Sequence, residues 1–334
     1  MIKLSIAILL SIFFCEASFP AVSVQLNSQI KCYLEKKPAL RPQSDGFSLE
    51  NAHTLAVLSL ISYAQPKMAM ASALQIEGLT KAKWITSRKS DTQAMWLEGT
   101  EVLALIFRGT EVHSRLDIQT DLMALSEGLG PIGKVHVGFN HAFNSVWKTV
   151  LSNFNEIKQI KPLLITGHSL GAALATLAAT QLLRDQTNFQ AAEEQNNEWN
   201  KPFVQGLYTY GSPRVGDRDF AIRFDYLVQK SRMYTLPGLS DKPKTYSARL
   251  VNGNDAVPRI PGGMSYTHIG ELKYFDSTGK LHEGKDAEAL FTSSLFFLPI
   301  EDWDWIGNHN IRAYAELTYI ALHGAASGCF SLTQ

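Results

Sequence analysis

Ser169 stands between two glycines in the segment TGHSLGAALA, which runs from Thr166 to Ala175. A serine hydroxyl is a weak nucleophile at neutral pH, so it needs an adjacent general base, and that base needs an acid to orient it. A serine with both partners could carry out acyl transfer through a covalent intermediate. We therefore consider Ser169 a candidate nucleophile and look for its partners among the histidines and acids that follow it.

The residues around Ser169 predict a strand that turns directly into a helix. The apolar run KPLLITG at 161–167 is typical of a buried parallel strand, and an alanine-rich helix is predicted from Ser169 to about Arg184. The flanking glycines keep side chains out of this crowded corner. The pattern G-x-S-x-G in this context predicts a nucleophile elbow, which lifts the serine to the carboxyl edge of the sheet. A glycine-flanked helix cap is the alternative interpretation.

The residues alone do not decide which histidine is the base and which carboxylate is the acid. The chain order serine, acid, histidine leaves His268, His282 and His309 as candidate bases. His309 is favoured because it lies at a predicted loop-to-helix edge, whereas His268 precedes a strand-like run and is expected to be packed or hydrogen-bonded. Among the acids, Asp255 directly follows a predicted strand, as a catalytic carboxylate should. Its rival Asp217 is predicted to be the N-cap of a helix.

Predicted strands and helices alternate along most of the chain. The strands are predicted at 92–99, 100–107, 161–167, 203–213 and 245–253, with a hairpin turn at 98–99. The helices are predicted at 49–65, 140–154, 169–184, 217–229 and from about 309. The stretch from 18 to about 45 is polar, and 185–202 is expected to be a surface loop or excursion. This alternation favours an α/β fold with a mostly parallel sheet. No repeat or linker interrupts it, so residues 18–334 are predicted to form one domain.

The charge balance and the first residues bear on partners and location. Lys and Arg total 31 and Asp and Glu total 31, so the chain has no electrostatic footprint for nucleic acid or an anionic membrane. Lys3 precedes a short apolar run over 4–14, too short to span a membrane, which predicts a signal peptide at 1–17 cleaved after Ala17. We therefore expect an exported mature chain without a transmembrane segment. A lipoprotein with Cys15 lipidated is the weaker alternative.

Loss of the signal peptide leaves two cysteines, Cys32 and Cys329, near opposite ends of the mature chain. Two distant cysteines in an oxidising compartment are expected to be bridged, which would tie the termini together. Two buried thiols are the alternative.

Six segments of the chain carry a resemblance to a known family, and they occur in that family's order: IFRGT, VHVGF, ITGHSLGAALATLAA, YGSPRVGD, VNGNDAVPRIP and HNIRAYAEL. Together they span roughly residues 50–322, and they resemble the class 3 lipases, the fungal-type branch of the α/β-hydrolases. The resemblance implies the α/β-hydrolase fold, with a mostly parallel central sheet flanked by helices and a nucleophile elbow at Ser169. Members of this family often link their two termini, and a Cys32–Cys329 bridge would resemble that feature.

The resemblance also implies roles for individual residues. Ser169 would be the nucleophile, Asp255 the acid and His309 the base, and the spacing of the last two decides against His268. Thr110, which follows FRG, and the amide of Leu170 would form the oxyanion hole.

A lid is implied after Thr110, where Ile118, Leu122 and Leu125 would share one face of a short helix. That lid lacks the tryptophan common in the fungal enzymes, which argues against strong interfacial activation. A helix packed in the core is the alternative interpretation of this segment.

The resemblance implies a serine-dependent carboxylic ester hydrolase. The leading hypothesis is a lipase that cleaves acylglycerol esters through an acyl-enzyme, with a lipid or other ester as its substrate and a lipid–water interface as its expected place of action. No cofactor and no metal is expected. A phospholipase and a feruloyl-type esterase use the same machinery and stay open as alternatives. A non-catalytic lipid-binding relative is a further alternative, against which the intact set of serine, acid, histidine and threonine argues.

Overall fold

The computed structural model describes residues 19–42, 46–87, 89–110, 126–154, 156–157, 159–191, 202–233, 245–253, 255–262, 265–293 and 308–332. The predicted signal peptide at 1–17 and the predicted lid residues Ile118, Leu122 and Leu125 lie outside these ranges. The helices of the described residues are Phe19–Glu35 (α1), Leu49–Ile61 (α2), Pro66–Ala73 (α3), Val137–Phe154 (α4), Leu170–Ala191 (α5), Arg218–Ser231 (α6), Gly284–Ser293 (α7) and Ile311–His323 (α8). None of them is long and apolar enough to cross a membrane.

The strands of the described residues form one large sheet and one small hairpin. They are Leu79–Thr86 (β1), Gln93–Gly99 (β2), Leu103–Phe107 (β3), Ser126–Gly128 (β4), Lys134–His136 (β5), Pro162–His168 (β6), Phe203–Tyr210 (β7), Tyr246–Asn252 (β8), Glu271–Phe275 (β9) and Leu281–Glu283 (β10). The large sheet has the order β1-β2-β3-β6-β7-β8-β9-β10, and β4 pairs with β5 separately.

The central strands of the large sheet are parallel. Strands β3, β6, β7, β8 and β9 run in the same direction, whereas β1 and β2 are antiparallel to their neighbours and β10 is antiparallel to β9. Every residue of β7 and β8 is buried, as expected for strands covered on both faces of a sheet. The predicted mostly parallel sheet flanked by helices is therefore confirmed.

Helices cover both faces of this sheet and bury two apolar cores. On β3, Leu103, Leu105 and Phe107 point to one face while Ala104 and Ile106 point to the other, as the alternation of strand side chains requires. Helices α1, α2, α3 and α8 contribute to the core with Ala104 and Ile106, and α4, α5 and α6 to the core with Leu103. The sheet is thus packed between helices on both of its faces.

A disulfide joins Cys32 of α1 to Cys329 near the end of the chain, with the two Cα atoms 5.6 Å apart. The predicted bridge is therefore confirmed. Next to it, the buried Glu316 carboxylate accepts hydrogen bonds from the Tyr33 hydroxyl at 2.7 Å and from the backbone N–H of Ser327 at 2.7 Å. These contacts fix both ends of the described chain against α8.

Several elements differ from the sequence-based expectations. Helix α1 occupies much of the polar stretch 18–45, for which no element was predicted, and α5 continues through residues 185–191, which were predicted as loop. Within this extension Gln186 is fully buried, and its side-chain oxygen accepts a hydrogen bond from the N–H of Val204 at 3.4 Å. Strand β1 was not predicted because it is an edge strand with several exposed polar residues.

Candidate active site

The turn at Ser169 is held in an unusual backbone conformation. Strand β6 ends at His168, α5 begins at Leu170, and Ser169 between them has a φ of +59°, in the left-handed region that non-glycine residues rarely adopt. A side chain on Gly167 would collide with the backbone of Gly171, and a side chain on Gly171 would collide with the end of β3. Both glycines are therefore required by close packing, and the strained corner presents the serine at the carboxyl edge of the sheet.

Ser169, His309 and Asp255 meet at this corner although they are far apart in the sequence. The Nε2 atom of His309 lies 2.8 Å from Ser169 Oγ. The Nδ1 atom of the same ring lies 2.9 Å from Asp255 Oδ2 and 3.1 Å from Oδ1. Because a carboxylate only accepts hydrogen bonds, Nδ1 donates, and in the neutral ring Nε2 then carries the lone pair that faces the serine hydroxyl.

The Asp255 carboxylate is fully buried and well supplied with donors. It lies three residues beyond the end of β8 and accepts hydrogen bonds from the Tyr314 hydroxyl at 2.6 Å and from the N–H of Val257 at 2.9 Å, besides the bond from His309. Burial, and next the Asp255 charge, raise the pKa of Tyr314 well above its ordinary value, so this hydroxyl keeps its proton. Such bonds compensate a buried carboxylate for lost water and fix its orientation.

The backbone on both sides of His309 is fixed by hydrogen bonds. The carbonyl of Asn308 accepts a bond of 2.9 Å from the Asn252 side chain, and the carbonyl of His309 itself accepts one of 2.6 Å from His168 Nε2. Asn310 is the N-cap of α8, where its side chain accepts from the N–H of Arg312 at 3.0 Å. His309 thus lies at the loop-to-helix edge that the sequence predicted.

The rival residues are engaged elsewhere. His268 donates from Nε2 to the carbonyl of Pro258 at 2.6 Å, as its packed position predicted. Asp217 is the N-cap of α6 and accepts from the N–H of Phe220 at 2.8 Å, which confirms that prediction. His282 contacts Asp276 at 2.7 Å.

The two predicted oxyanion donors flank the corner. Thr110 is exposed and follows Gly109, whose Cα packs so closely against the His168 carbonyl and Ser169 that a side chain there would collide. Leu170 is the first residue of α5, so no carbonyl of its own helix can accept its N–H, and the positive end of the helix dipole lies at the same place. Leu170 thus directly follows Ser169, and Thr110 directly follows a glycine that packs against Ser169. Among the described residues, no three His, Cys, Asp or Glu side chains are grouped so that they could hold a metal ion.

Sequence reasoning did not identify three residues that contact this set. Tyr314 bonds to Asp255, His168 bonds to the backbone of His309, and Tyr63 lies behind His168 with its hydroxyl 2.8 Å from the Nδ1 atom. His168 is adjacent to the serine in sequence, but a contact with a carbonyl 141 residues away leaves no local signal. Tyr63 and Tyr314 lie in apolar stretches and are indistinguishable there from core residues.

A family model described as "Lipase (class 3)" matches residues 104–264, a range that includes Ser169 and Asp255. Residues 104–264, slightly less than half of the chain, therefore match the class 3 lipase family. The match begins in β3 and ends beyond the Asp255 turn, so it covers the parallel strands β6, β7 and β8 and the corner between β6 and α5, but not β9.

Individual proteins agree with this assignment. The chain is 28% identical to phospholipase A1-II 1 of Oryza sativa over 261 residues, covering 68% of this chain and 58% of that protein. It is 32% identical to secreted mono- and diacylglycerol lipase 1 of Fusarium solani over 130 residues, covering 38% of this chain and 29% of that protein. The chain thus spans less than two thirds of the length of these curated relatives.

The structure of the triacylglyceride lipase of Rhizomucor miehei superposes with a TM-score of 0.56 at 24% identity. The superposition covers 81% of this chain and 99% of that one. Together with the mostly parallel sheet flanked by helices, this likeness shows the α/β-hydrolase fold.

Proposed function

We propose that this chain is a serine-dependent carboxylic ester hydrolase that cleaves acylglycerol esters. The observation that carries the proposal is the continuous hydrogen-bonded path from Ser169 Oγ through the His309 ring to the buried Asp255 carboxylate. Geometry of this kind is what an otherwise weak hydroxyl nucleophile requires. The family assignment supports an ester of a fatty acid as the substrate.

The proposed reaction has two acyl-transfer steps. His309 Nε2 takes the proton of Ser169 Oγ as the oxygen attacks the ester carbonyl, and the same nitrogen returns the proton to the departing alcohol. Water then attacks the acyl-serine by the same route, and the fatty acid leaves. Asp255 keeps the Nδ1–H of His309 in place and stabilises the positive charge that the ring gains in each step.

The negative charge on the tetrahedral intermediate needs donors that are already in place. We assign this role to the Thr110 amide and hydroxyl and to the Leu170 amide, since Leu170 directly follows Ser169 and Thr110 follows a glycine that packs against it. Loss of one such donor typically raises the barrier by about 3–4 kcal/mol. The N-terminus of α5 adds a favourable partial charge at the same point.

Phospholipids are a second candidate substrate class. The match to the rice phospholipase A1 covers two thirds of this chain, more than the match to the Fusarium lipase. Acylglycerols and phospholipids offer the same ester carbonyl to Ser169, so the two proposals share the triad and differ only in the head group that the surroundings accept.

We further propose that the protein is exported and acts at a lipid–water interface. The disulfide between Cys32 and Cys329 is the kind of bond that persists in oxidising compartments. The pattern of residues 1–17 supports a signal peptide cleaved near Ala17, leaving residues 18–334 as one domain. N-terminal sequencing of the exported protein tests this directly, since an N-terminus at or near Ser18 is expected and an intact Met1 would overturn it.

The hydrolytic proposal is tested with a substrate panel and one control variant. Triolein, dioleoylglycerol, phosphatidylcholine, methyl ferulate and p-nitrophenyl butyrate are offered to the wild type and to Ser169→Ala. We expect wild-type release of fatty acid from the acylglycerols and none above background from the variant. Release from phosphatidylcholine alone would transfer the assignment to a phospholipase, and release from methyl ferulate alone to an aryl esterase.

A fluorophosphonate probe separates the enzyme from a non-catalytic lipid-binding relative. The probe should label the wild type at Ser169 and leave Ser169→Ala unlabelled. A correctly folded wild type that stays unlabelled, yet binds phosphatidylcholine vesicles, would establish the binding protein instead.

A further inference from the structure

His168 lies directly before Ser169 in the sequence but takes no part in the path between Ser169, His309 and Asp255. Its ring is buried and has a defined partner at each nitrogen. Nε2 lies 2.6 Å from the backbone carbonyl oxygen of His309, and Nδ1 lies 2.8 Å from the Tyr63 hydroxyl. The rings of His168 and His309 are also in contact, with centroids 4.6 Å apart and planes inclined by 31°.

These partners define the tautomer of the His168 ring. A carbonyl oxygen only accepts hydrogen bonds, so Nε2 carries the hydrogen and donates it to His309. Burial, and next the neighbouring His309 ring, hold the pKa of His168 well below its ordinary value, and the ring is therefore neutral. In a neutral ring the other nitrogen has a lone pair, so Nδ1 accepts the hydrogen of the Tyr63 hydroxyl.

Tyr63 joins this pair to the segment that carries Thr110. Its ring lies beneath the Arg108 guanidinium, with 5.6 Å between the guanidinium carbon and the ring centroid. A side chain on Gly109 would collide with the Tyr63 hydroxyl and with the His168 carbonyl, so the three groups are in close contact. Tyr63 and His168 thus touch the backbone before Thr110, the corner at Ser169 and the backbone of His309.

We infer that His168 and Tyr63 are positioning residues, with His168 holding the backbone of His309 so that Nε2 stays within bonding distance of Ser169, and Tyr63 holding the His168 ring. The consequence for catalysis rests on the proposed function. A displacement of about 1 Å in a reacting group lowers a rate roughly 100-fold. The bond from His168 therefore acts on the rate without contact with the substrate.

Two substitutions at one position separate the two nitrogens of His168. In His168→Gln the side-chain amide reaches the place of Nε2 and can still donate to the His309 carbonyl. In His168→Asn the shorter amide reaches the place of Nδ1, so the bond to His309 is lost. Neither substitution adds a charge, which makes the pair a matched control for polarity and burial.

We expect kcat for p-nitrophenyl butyrate to fall about 100-fold in His168→Asn with KM unchanged. His168→Gln should stay within about tenfold of the wild type, and Tyr63→Phe should lose about threefold to tenfold, the typical effect of one hydrogen bond. The lower apparent pKa of the kcat/KM profile, which reports the base, should move in His168→Asn and stay in His168→Gln. Rates are normalised to folded protein by near-UV circular dichroism.

Equal kcat values for the Asn and Gln variants, or a wild-type value for the Asn variant, would overturn the inference. A readout independent of activity keeps it testable if the wild type hydrolyses no ester, which would refute the proposed function alone. Nitrogen-15 NMR of labelled histidines should show His168 as the neutral Nε2–H tautomer. A crystal structure of His168→Asn should show His309 Nε2 moved away from Ser169 Oγ, and an unmoved ring would contradict the positioning role.

Discussion

The Tyr314 hydroxyl donates a hydrogen bond of 2.6 Å to Asp255 Oδ2 and at the same time accepts one of 3.1 Å from the N–H of Asn252. One phenol thus joins the candidate catalytic acid to the end of β8. Tyr314 is a buried residue of α8, so its bond to Asp255 also joins the acid to the helix that follows His309. The acid and the base are therefore held by a common element.

Tyr314→Phe should lower both activity and stability. The change removes one donor from the Asp255 carboxylate and leaves the buried N–H of Asn252 without its acceptor. We expect a loss of about 1–3 kcal/mol in the free energy of unfolding, measured by urea denaturation. The value of kcat for p-nitrophenyl butyrate should fall about tenfold. Tyr319→Phe in the same helix is the control and should keep wild-type kcat, and an equal loss in both variants would refute a specific role for Tyr314.

Gly211→Ala should disrupt the contact between acid and base. Gly211 has a φ of +55°, and a side chain there would collide with Asp255 Oδ2 and with the His309 ring. We expect a fall in kcat of about 100-fold, with a loss of roughly 1–3 kcal/mol in stability from backbone strain. Gly262→Ala, whose new methyl group would meet no atom within 4 Å, is the control. Wild-type kcat in Gly211→Ala would show that this tight contact is not required.

The stability of the protein should fall between pH 6.5 and pH 4 because of His53. Burial lowers the pKa of His53 to about 4, so over this range the unfolded chain binds a proton that the folded chain does not. Protonation therefore favours unfolding. The resulting loss in the free energy of unfolding reaches about 3 kcal/mol at pH 4 and vanishes above pH 6.5.

Urea denaturation at pH 7 and pH 4.5 measures this difference. His53→Asn can keep the bond to the Thr318 hydroxyl, which lies 3.2 Å from Nδ1, but cannot be protonated. This variant should lose less stability on acidification than the wild type does. An unchanged pH dependence in the variant would show that other buried groups account for the effect.

Reduction of the Cys32–Cys329 bond should lower stability without abolishing activity. The two residues are 297 positions apart, so the bridge restricts nearly the whole unfolded chain, and its loss is expected to remove about 2–5 kcal/mol. Urea denaturation with and without dithiothreitol measures the loss, and Cys32→Ser together with Cys329→Ser should show no further effect of the reductant. At low temperature kcat should stay within about twofold of the oxidised enzyme, since neither cysteine belongs to the Ser169 site.

The corner at Ser169 could be predicted from the sequence because its determinants are local. An unbroken apolar strand, two glycines and an alanine-rich helix stand side by side in the chain, and each has a direct physical meaning. Asp255 could be placed by the same reasoning, since a residue just after a parallel strand lies at the carboxyl edge of the sheet. The choice of His309 over His268 depended on the family's spacing as well as on its place at a helix start.

The contacts that hold these residues could not be predicted because they are made across the fold. His168 reaches a carbonyl 141 positions away and Tyr314 a carboxylate 59 positions away. Strand β1 and the end of α5 were missed for a different reason, since exposed or hydrogen-bonded polar residues hide their periodicity. Composition indicates a loop in such stretches even where tertiary contacts stabilise regular structure.

The side-chain amide of Asn252 donates a hydrogen bond to the carbonyl of Asn308, 56 positions further along the chain. The polypeptide therefore leaves β8 and returns beside it, so the two ends of the excursion between Asn252 and Asn308 are in contact. Insertions or deletions in the surface turns of that excursion can alter its length at little entropic penalty while the acid and the imidazole keep their places. New specificity is thus best grafted onto the surface turns of this excursion, because Asp255 and the buried strand β9 also lie within it.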